Sequence, residues 1–133
     1  MNNKYFSIII ALCGMLITSA ASANPLFSPY ITGPSVILKP NNTKTYRARH
    51  KTNNLVVYVA VNNSIGFTKP NGSTVSSTNG GSRSIEFTQS GYYQILANYN
   101  GEVLYLLKNE IESKIVDFTI KKRVYVCAPW MCI

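Results

Sequence analysis

The stretch that decides the fold is Arg83–Tyr99, RSIEFTQSGYYQILANY. Its first part alternates apolar and polar side chains, so Ile85 and Phe87 lie on one face of a strand. The segment Gln89–Gly91 then has turn chemistry, because Gly91 adopts positive φ without steric cost. A second alternating segment follows this turn. The stretch therefore predicts a strand, a tight corner and another strand.

The residues after the corner resemble a motif of immunoglobulin-like β-sandwiches. Gly91, Tyr93 and Ile95 show the Gly-x-Tyr-x-apolar pattern that precedes strand F of that fold. The resemblance implies that the Tyr93 hydroxyl bonds to backbone a few residues upstream, which makes Gly91 and Tyr93 the structural corner. Residues Ile31–Val36 resemble the opening strand of bacterial immunoglobulin-like and PKD-like domains, whereas Leu55–Val61 lacks the tryptophan expected in strand C. The resemblance implies a fold and not a function.

The rest of the chain predicts further short strands separated by turns, and it shows no sustained helical periodicity. We expect Tyr46 and Ala48 to face the core, while Arg47 and Arg49 between and beside them face solvent. The apolar run Leu55–Val61 predicts a strand that is covered on both faces. The predicted fold class is therefore all-β, an immunoglobulin-like antiparallel β-sandwich of about seven strands.

Two further segments shape the C-terminal half. Asn100-Gly101 predicts a two-residue hairpin turn, because this pair is strongly favoured in such turns. We expect Lys108–Lys114 to form a polar loop or a single helical turn. The last predicted strand is Ile115–Val126.

Residues 1–23 predict a cleaved Sec-type signal peptide. Lys4 gives a short basic start, Tyr5–Ile17 is an apolar run too short to span a bilayer comfortably, and Ala21-Ser22-Ala23 has the Ala-x-Ala cleavage pattern. The alternative is an uncleaved membrane anchor. We expect residues 24–133 to form a single domain, since about 110 residues suit one sandwich. The predicted location is periplasmic or secreted.

Two cysteines, Cys127 and Cys132, lie near the C-terminus. An oxidising compartment favours a disulfide between them, which closes a short C-terminal loop. Their spacing fits neither a Cys-x-x-Cys redox site nor a zinc site. Trp130, the single tryptophan, lies in this loop beside Met131. It either presents an apolar anchor to a partner, a sugar ring or a membrane, or it folds back and fills the open end of the sandwich.

The chain is a cation, with 13 Lys and Arg against five Asp and Glu and a formal net charge of +8. Loss of Lys4 with the leader lowers this charge to +7. Arg47, Arg49 and Lys51 share one strand face. Such a field attracts anionic lipid, acidic polysaccharide or nucleic acid, and export favours the first two over nucleic acid. The alternative is a solvated face that keeps a small domain soluble.

The sequence contains few of the residues that usually carry catalysis, since it has one histidine, His50, and one aspartate, Asp117. It contains no Gly-x-Ser-x-Gly elbow, phosphate-binding loop or dinucleotide motif. We therefore expect no catalytic residue, no metal and no cofactor. The predicted function is an exported, non-enzymatic binding or adhesion module for a protein or glycan of a cell surface or envelope. The alternatives are a structural subunit of a secreted or envelope assembly and a cationic membrane-active toxin. The candidate binding residues are Trp130, Met131, Arg47, Arg49 and Lys51.

Overall fold

A computed structural model describes residues 25–132, so the signal peptide predicted for residues 1–23 lies outside the described residues. The described chain forms eight strands in two sheets. The strands are β1 (Phe27–Thr32), β2 (Val36–Ile37), β3 (Asn42–Thr52), β4 (Val56–Thr68), β5 (Thr74–Asn79), β6 (Ser82–Phe87), β7 (Gly91–Leu107) and β8 (Glu110–Val126). Within residues 25–132, no helix has the length and hydrophobicity needed to cross a bilayer.

The order of the strands is that of an immunoglobulin-like sandwich. One sheet has the order β1-β3-β6 and the other β2-β8-β7-β4-β5, and every pair is antiparallel except β2 with β8. In the immunoglobulin fold, strands A, B and E share one sheet, while G, F and C share the other, which C′ extends in variable-type domains. Here β1, β3 and β6 take the places of A, B and E. The predicted fold class is confirmed, with eight strands instead of about seven.

Buried tyrosines link the two sheets to each other and link β3 to the segment between β1 and β2. The Tyr46 hydroxyl donates a hydrogen bond to the carbonyl of Pro34 at 2.6 Å. The Tyr99 hydroxyl lies 2.7 Å from the carbonyl of Arg49 and 3.0 Å from that of Tyr30. Burial raises the pKa of Tyr46 to about 12 and also raises the pKa of Tyr99. As the alternation predicts, Tyr46 faces the core and Arg49 faces solvent.

Tyr93 lies just after the corner between β6 and β7. Its hydroxyl accepts hydrogen bonds from the backbone N–H groups of Thr88 and Gln89, each at 3.1 Å. This is the upstream contact that the resemblance implies. Gly91 has a φ of 120°, and a Cβ at this position would lie 3.0 Å from the ring of Pro70. The corner therefore requires glycine for its backbone conformation and tyrosine for its backbone hydrogen bonds.

The hairpin turn predicted at Asn100-Gly101 is wrong. Both residues lie inside β7, and the turn is Lys108-Asn109, where φ is 55° and 65°. Glycine is needed inside the strand because a Cβ at Gly101 would lie 2.0 Å from the carbonyl oxygen of Ala60 on β4. The loop or helical turn predicted over Lys108–Lys114 is also wrong, since β8 begins at Glu110.

The sequence predicts that the apolar run Leu55–Val61 is covered on both faces, and this prediction is wrong. Most of the run lies in β4, where Val57 and Tyr58 are 51% and 58% exposed. The three-stranded sheet covers only the inner face of the five-stranded sheet, so apolar side chains on its outer face meet solvent. A continuous apolar run therefore does not by itself indicate a strand buried on both sides.

Candidate binding surface

The outer face of the five-stranded sheet carries three zones of different chemistry. Tyr93, Ile95, Ala97 and Tyr99 are buried, so the residues between them on β7 point away from the core. The ladders of β4 and β8 with β7 place their own outward residues beside these in rows across the sheet. From the start of β7 to its end, we name the zones the aromatic end, the polar hollow and the apolar arm.

The aromatic end consists of Tyr92, Arg123 and Tyr125. Tyr92 and Tyr125 are directly opposite each other on β7 and β8, with ring centroids 4.8 Å apart. The guanidinium carbon of Arg123 lies 4.1 Å from the centroid of the Tyr92 ring, which is a close cation–π contact. These contacts fix a flat aromatic and cationic surface at one end of the sheet.

The C-terminal loop folds against the aromatic end. Cys127 and Cys132 are joined by a disulfide, and the Tyr125 hydroxyl lies 3.7 Å from the sulfur of Met131. Trp130 is 74% exposed, so its indole does not fill the open end of the sandwich. The loop therefore presents Trp130 next to a surface that already contains two tyrosines.

The structure does not bring Trp130 together with Arg47, Arg49 and Lys51, which lie on the outer face of the other sheet. Lys51 also lies toward the other end of the molecule. Lys51 is close to Phe27 along the β1–β3 ladder, and the ring of Phe27 lies 6.0 Å from that of Phe118. The strand from Phe118 to Cys127 spans about 30 Å at the usual rise of a strand. The cation that belongs to the aromatic end is Arg123, which sequence reasoning did not select.

The polar hollow lies in the middle of the outer face and has a volume of about 590 Å³. Two rows of side chains cross it, each with one residue from β4, β7 and β8. Asp117 is the single charged residue among those that line it. The rows are Ser64, Asn98 and Thr119, and Asn62, Asn100 and Asp117.

Hydrogen bonds hold Asn98 at the centre of the hollow. Its amide nitrogen donates to the hydroxyls of Ser64 at 3.0 Å and Ser77 at 3.2 Å. The hydroxyl of Thr119 donates to the amide oxygen of Asn98. This network joins β5, β4, β7 and β8, so the row is rigid. In the next row, Asn100 and Asp117 are exposed.

The apolar arm is formed by the far ends of β7 and β8 together with the start of β4. Leu106 and Ile111 are opposite each other near the turn, and Tyr58 is opposite Leu104. Ile115, further along β8, is 69% exposed. Exposed apolar side chains that adjoin one another in this way make the arm a candidate interaction surface. The outward side chains of the arm are Tyr58, Leu104, Leu106, Ile111 and Ile115.

Sequence reasoning missed the hollow because strand register, and not sequence proximity, assembles it. Asn62 begins the most polar segment of the sequence, where alternation is hard to see, and Asn100 belongs to the pair that predicts a hairpin turn. The available signal was the alternation itself, which continues from Tyr99 through Val103 and places Asn98 and Asn100 on the outward face. Among residues 25–132, no group of three His, Cys, Asp or Glu side chains is placed to hold a metal ion.

The topology and the tyrosine corner define this chain as an immunoglobulin-like β-sandwich. No family model and no curated protein matches the sequence. A similar solved structure is the CARDB domain of a Pyrococcus furiosus protein, determined in complex with di-metal ions. The two are 18% identical, the match covers 79% of this chain and 96% of that one, and the TM-score is 0.45. This likeness is too low to carry any property of that domain to this chain.

Proposed function

We propose that this chain is an exported, non-enzymatic binding module that recognises a carbohydrate of a cell surface or envelope. The observation that carries the proposal is the polar hollow, where Asn98, Asn100 and Asp117 line one concave site. Ligand sites are typically concave, with a small number of fixed polar groups that orient the ligand. The network around Asn98 supplies such fixed groups.

The chemistry of the hollow fits a hydroxyl-rich ligand. Amides and hydroxyls both donate and accept hydrogen bonds, and sugar hydroxyls do the same. The carboxylate of Asp117 accepts hydrogen bonds from hydroxyls and opposes the entry of an anion. An apolar ligand would cover the exposed amide of Asn100 and the carboxylate of Asp117 without giving either a hydrogen-bond partner, which is costly. A neutral sugar ring therefore suits this site better than either alternative.

The aromatic end and the basic face extend this proposal. A ligand of several sugar units that leaves the hollow along β7 meets the ring of Tyr125 and the exposed indole of Trp130. Aromatic rings of this kind supply large contact area with one polar end. Arg47, Arg49 and Lys51 lie elsewhere, so their role is long-range attraction to a negatively charged envelope and not contact with the sugar.

A glycan array followed by titration with the best-bound oligosaccharide tests the proposal. We expect Asn100→Ala and Asp117→Ala each to raise Kd at least tenfold, about 1.4 kcal/mol. Both side chains are exposed, so the fold should be unaffected. Asn54→Ala, a matched change in an exposed turn away from the hollow, should leave Kd unchanged. Equal binding by all three variants, or no retained glycan at all, would contradict the proposal.

The apolar arm favours one second candidate, a protein that inserts into anionic membranes. Leu106, Leu107 and Ile111 are exposed around the turn of the β7–β8 hairpin, and Lys108 lies at its tip. Apolar side chains next to cations are the combination that binds an anionic lipid surface. In this reading the hairpin tip enters the headgroup region while the rest of the sandwich remains in water.

Co-sedimentation with vesicles separates the two candidates. Binding to vesicles of phosphatidylglycerol, with none to phosphatidylcholine, would support the membrane candidate. The double variant Leu106→Gln, Ile111→Gln should then abolish sedimentation, whereas Asn100→Ala should have no effect. If neither vesicle retains the protein, the arm does not act on lipid and the second candidate is wrong.

A further inference from the structure

The first half of β4 has a partner strand on one side only. Its ladder with β7 covers Val56–Thr68, whereas its ladder with β5 begins at Ser64. Within residues 25–132, no strand lies beside residues 58–62 on the side that β5 occupies further along. We name Tyr58–Asn62 the open edge. A β-bulge between Val56 and Tyr58 lies before it, so the open edge itself is regular.

The direction of the backbone groups on the open edge follows from one neighbouring hydrogen bond and from the alternation of a strand. The carbonyl of Asn63 accepts a hydrogen bond from the N–H of Gly80, so its backbone faces the β5 side. Alternate residues of a strand present their backbone groups to the same side. Val59 and Val61 therefore present N–H and C=O groups to the open side, while Ala60 faces β7. Groups of this kind are a template for an added strand.

The open edge also lacks the charged residues and prolines that often prevent strands from pairing. Natural edges are protected by lysines, prolines or inward charges. Here residues 52–68 contain neither a charged residue nor a proline. In a chain with a net charge of +8, two copies can approach at this edge without placing like charges against each other. The outward side chains are Tyr58, Ala60 and Asn62.

We propose that the open edge pairs with the same edge of a second copy of this chain. A two-fold axis makes the two strands antiparallel, as in any isologous interface. Centred on the middle of the edge, it places Ala60 opposite Ala60 of the partner copy and Val59 opposite Val61 of the partner copy. Both hydrogen bonds of each Val59–Val61 pair then form, and the two five-stranded sheets become one continuous sheet. This proposal does not rest on the carbohydrate contacts, although Asn62 belongs to both the open edge and the polar hollow.

The two-fold position predicts a specific cross-link. Ala60 and Ala60 of the partner copy form a non-hydrogen-bonded pair. The Cα atoms of such a pair lie about 4.5 Å apart, and this distance permits a disulfide. Ala60→Cys should therefore give a covalent dimer under mild oxidation, since Cys127 and Cys132 are already bonded to each other. The matched control is Ser76→Cys on β5, the edge strand of the same sheet, which should remain monomeric.

Sedimentation equilibrium of the purified protein provides the second measurement. We expect the average mass of the unmodified protein to rise with concentration toward that of a dimer. Ala60→Lys, which places two like charges face to face, should raise the dimer Kd at least tenfold, while Ser76→Lys should not change it. Circular dichroism confirms that each variant is folded. A monomer at all concentrations, equal association of the two lysine variants, or equal cross-linking of the two cysteine variants would each overturn the proposal.

Discussion

Replacing Tyr93 by phenylalanine isolates the hydroxyl of the corner tyrosine from its ring. Tyr93 is 1% exposed, and its ring packs edge-on against Phe87 at 4.8 Å, a contact that phenylalanine retains. The hydroxyl accepts hydrogen bonds from the N–H groups of Thr88 and Gln89, so its loss leaves two donors without their acceptor. Each such bond contributes about 0.5–1.5 kcal/mol. We expect Tyr93→Phe to lower the free energy of unfolding by about 2 kcal/mol.

Urea unfolding followed by circular dichroism is the appropriate assay, because the exposed Trp130 is a poor reporter of the core. The midpoint should fall with an unchanged slope, since the surface exposed on unfolding is the same. Tyr92→Phe is the matched control. Tyr92 is 53% exposed on the opposite face, so the loss of its hydroxyl should cost less than about 0.5 kcal/mol. Equal losses in the two variants would refute the assignment of Tyr93 as the corner tyrosine.

Three further results are expected. Burial raises the pKa of Tyr46 to about 12 from its usual value of 10.0, so the unfolded chain releases this proton first as the pH rises. Stability should therefore fall between pH 10 and 12. Tyr46→Phe should reduce that slope in urea titrations. Gly101→Ala should cost about 3 kcal/mol, because its Cβ meets the Ala60 carbonyl. Gly80→Ala, where a Cβ meets open space, should cost less in the same assay. Trp130→Ala should change the free energy of unfolding by less than about 0.5 kcal/mol. A loss of about 3 kcal/mol would show instead that the indole packs against the core.

Local alternation was the most reliable guide to the fold. It places Tyr46 and Ala48 inward, and it assigns the inner face of β7 from Tyr93 to Tyr99. Both assignments work because one face of each strand packs against the core and the other meets solvent. These results depend only on residues two positions apart, so no tertiary information is needed.

The sequence was misleading where tertiary contacts override local preference. Asn100-Gly101 is a favourable turn sequence, yet the glycine is present because the backbone of Ala60 lies too close for a side chain. Lys108-Asn109 forms the turn instead, with two non-glycine residues at positive φ. The polar hollow could not be predicted from local sequence for the same reason. Its rows join residues distant in sequence, and only the strand register shows which of them are neighbours.

The centre of the five-stranded sheet is completed by β8, the last strand of the described chain. During synthesis, β2 and β7 lack this neighbour until Glu110–Val126 has left the ribosome, so the sheet cannot be complete before then. The pairing of β7 with β8 is local, because the two strands are joined by the turn at Lys108-Asn109, and hairpins close in about 1–10 μs. A sheet that waits for β8 before it can be completed is compatible with the proposed export.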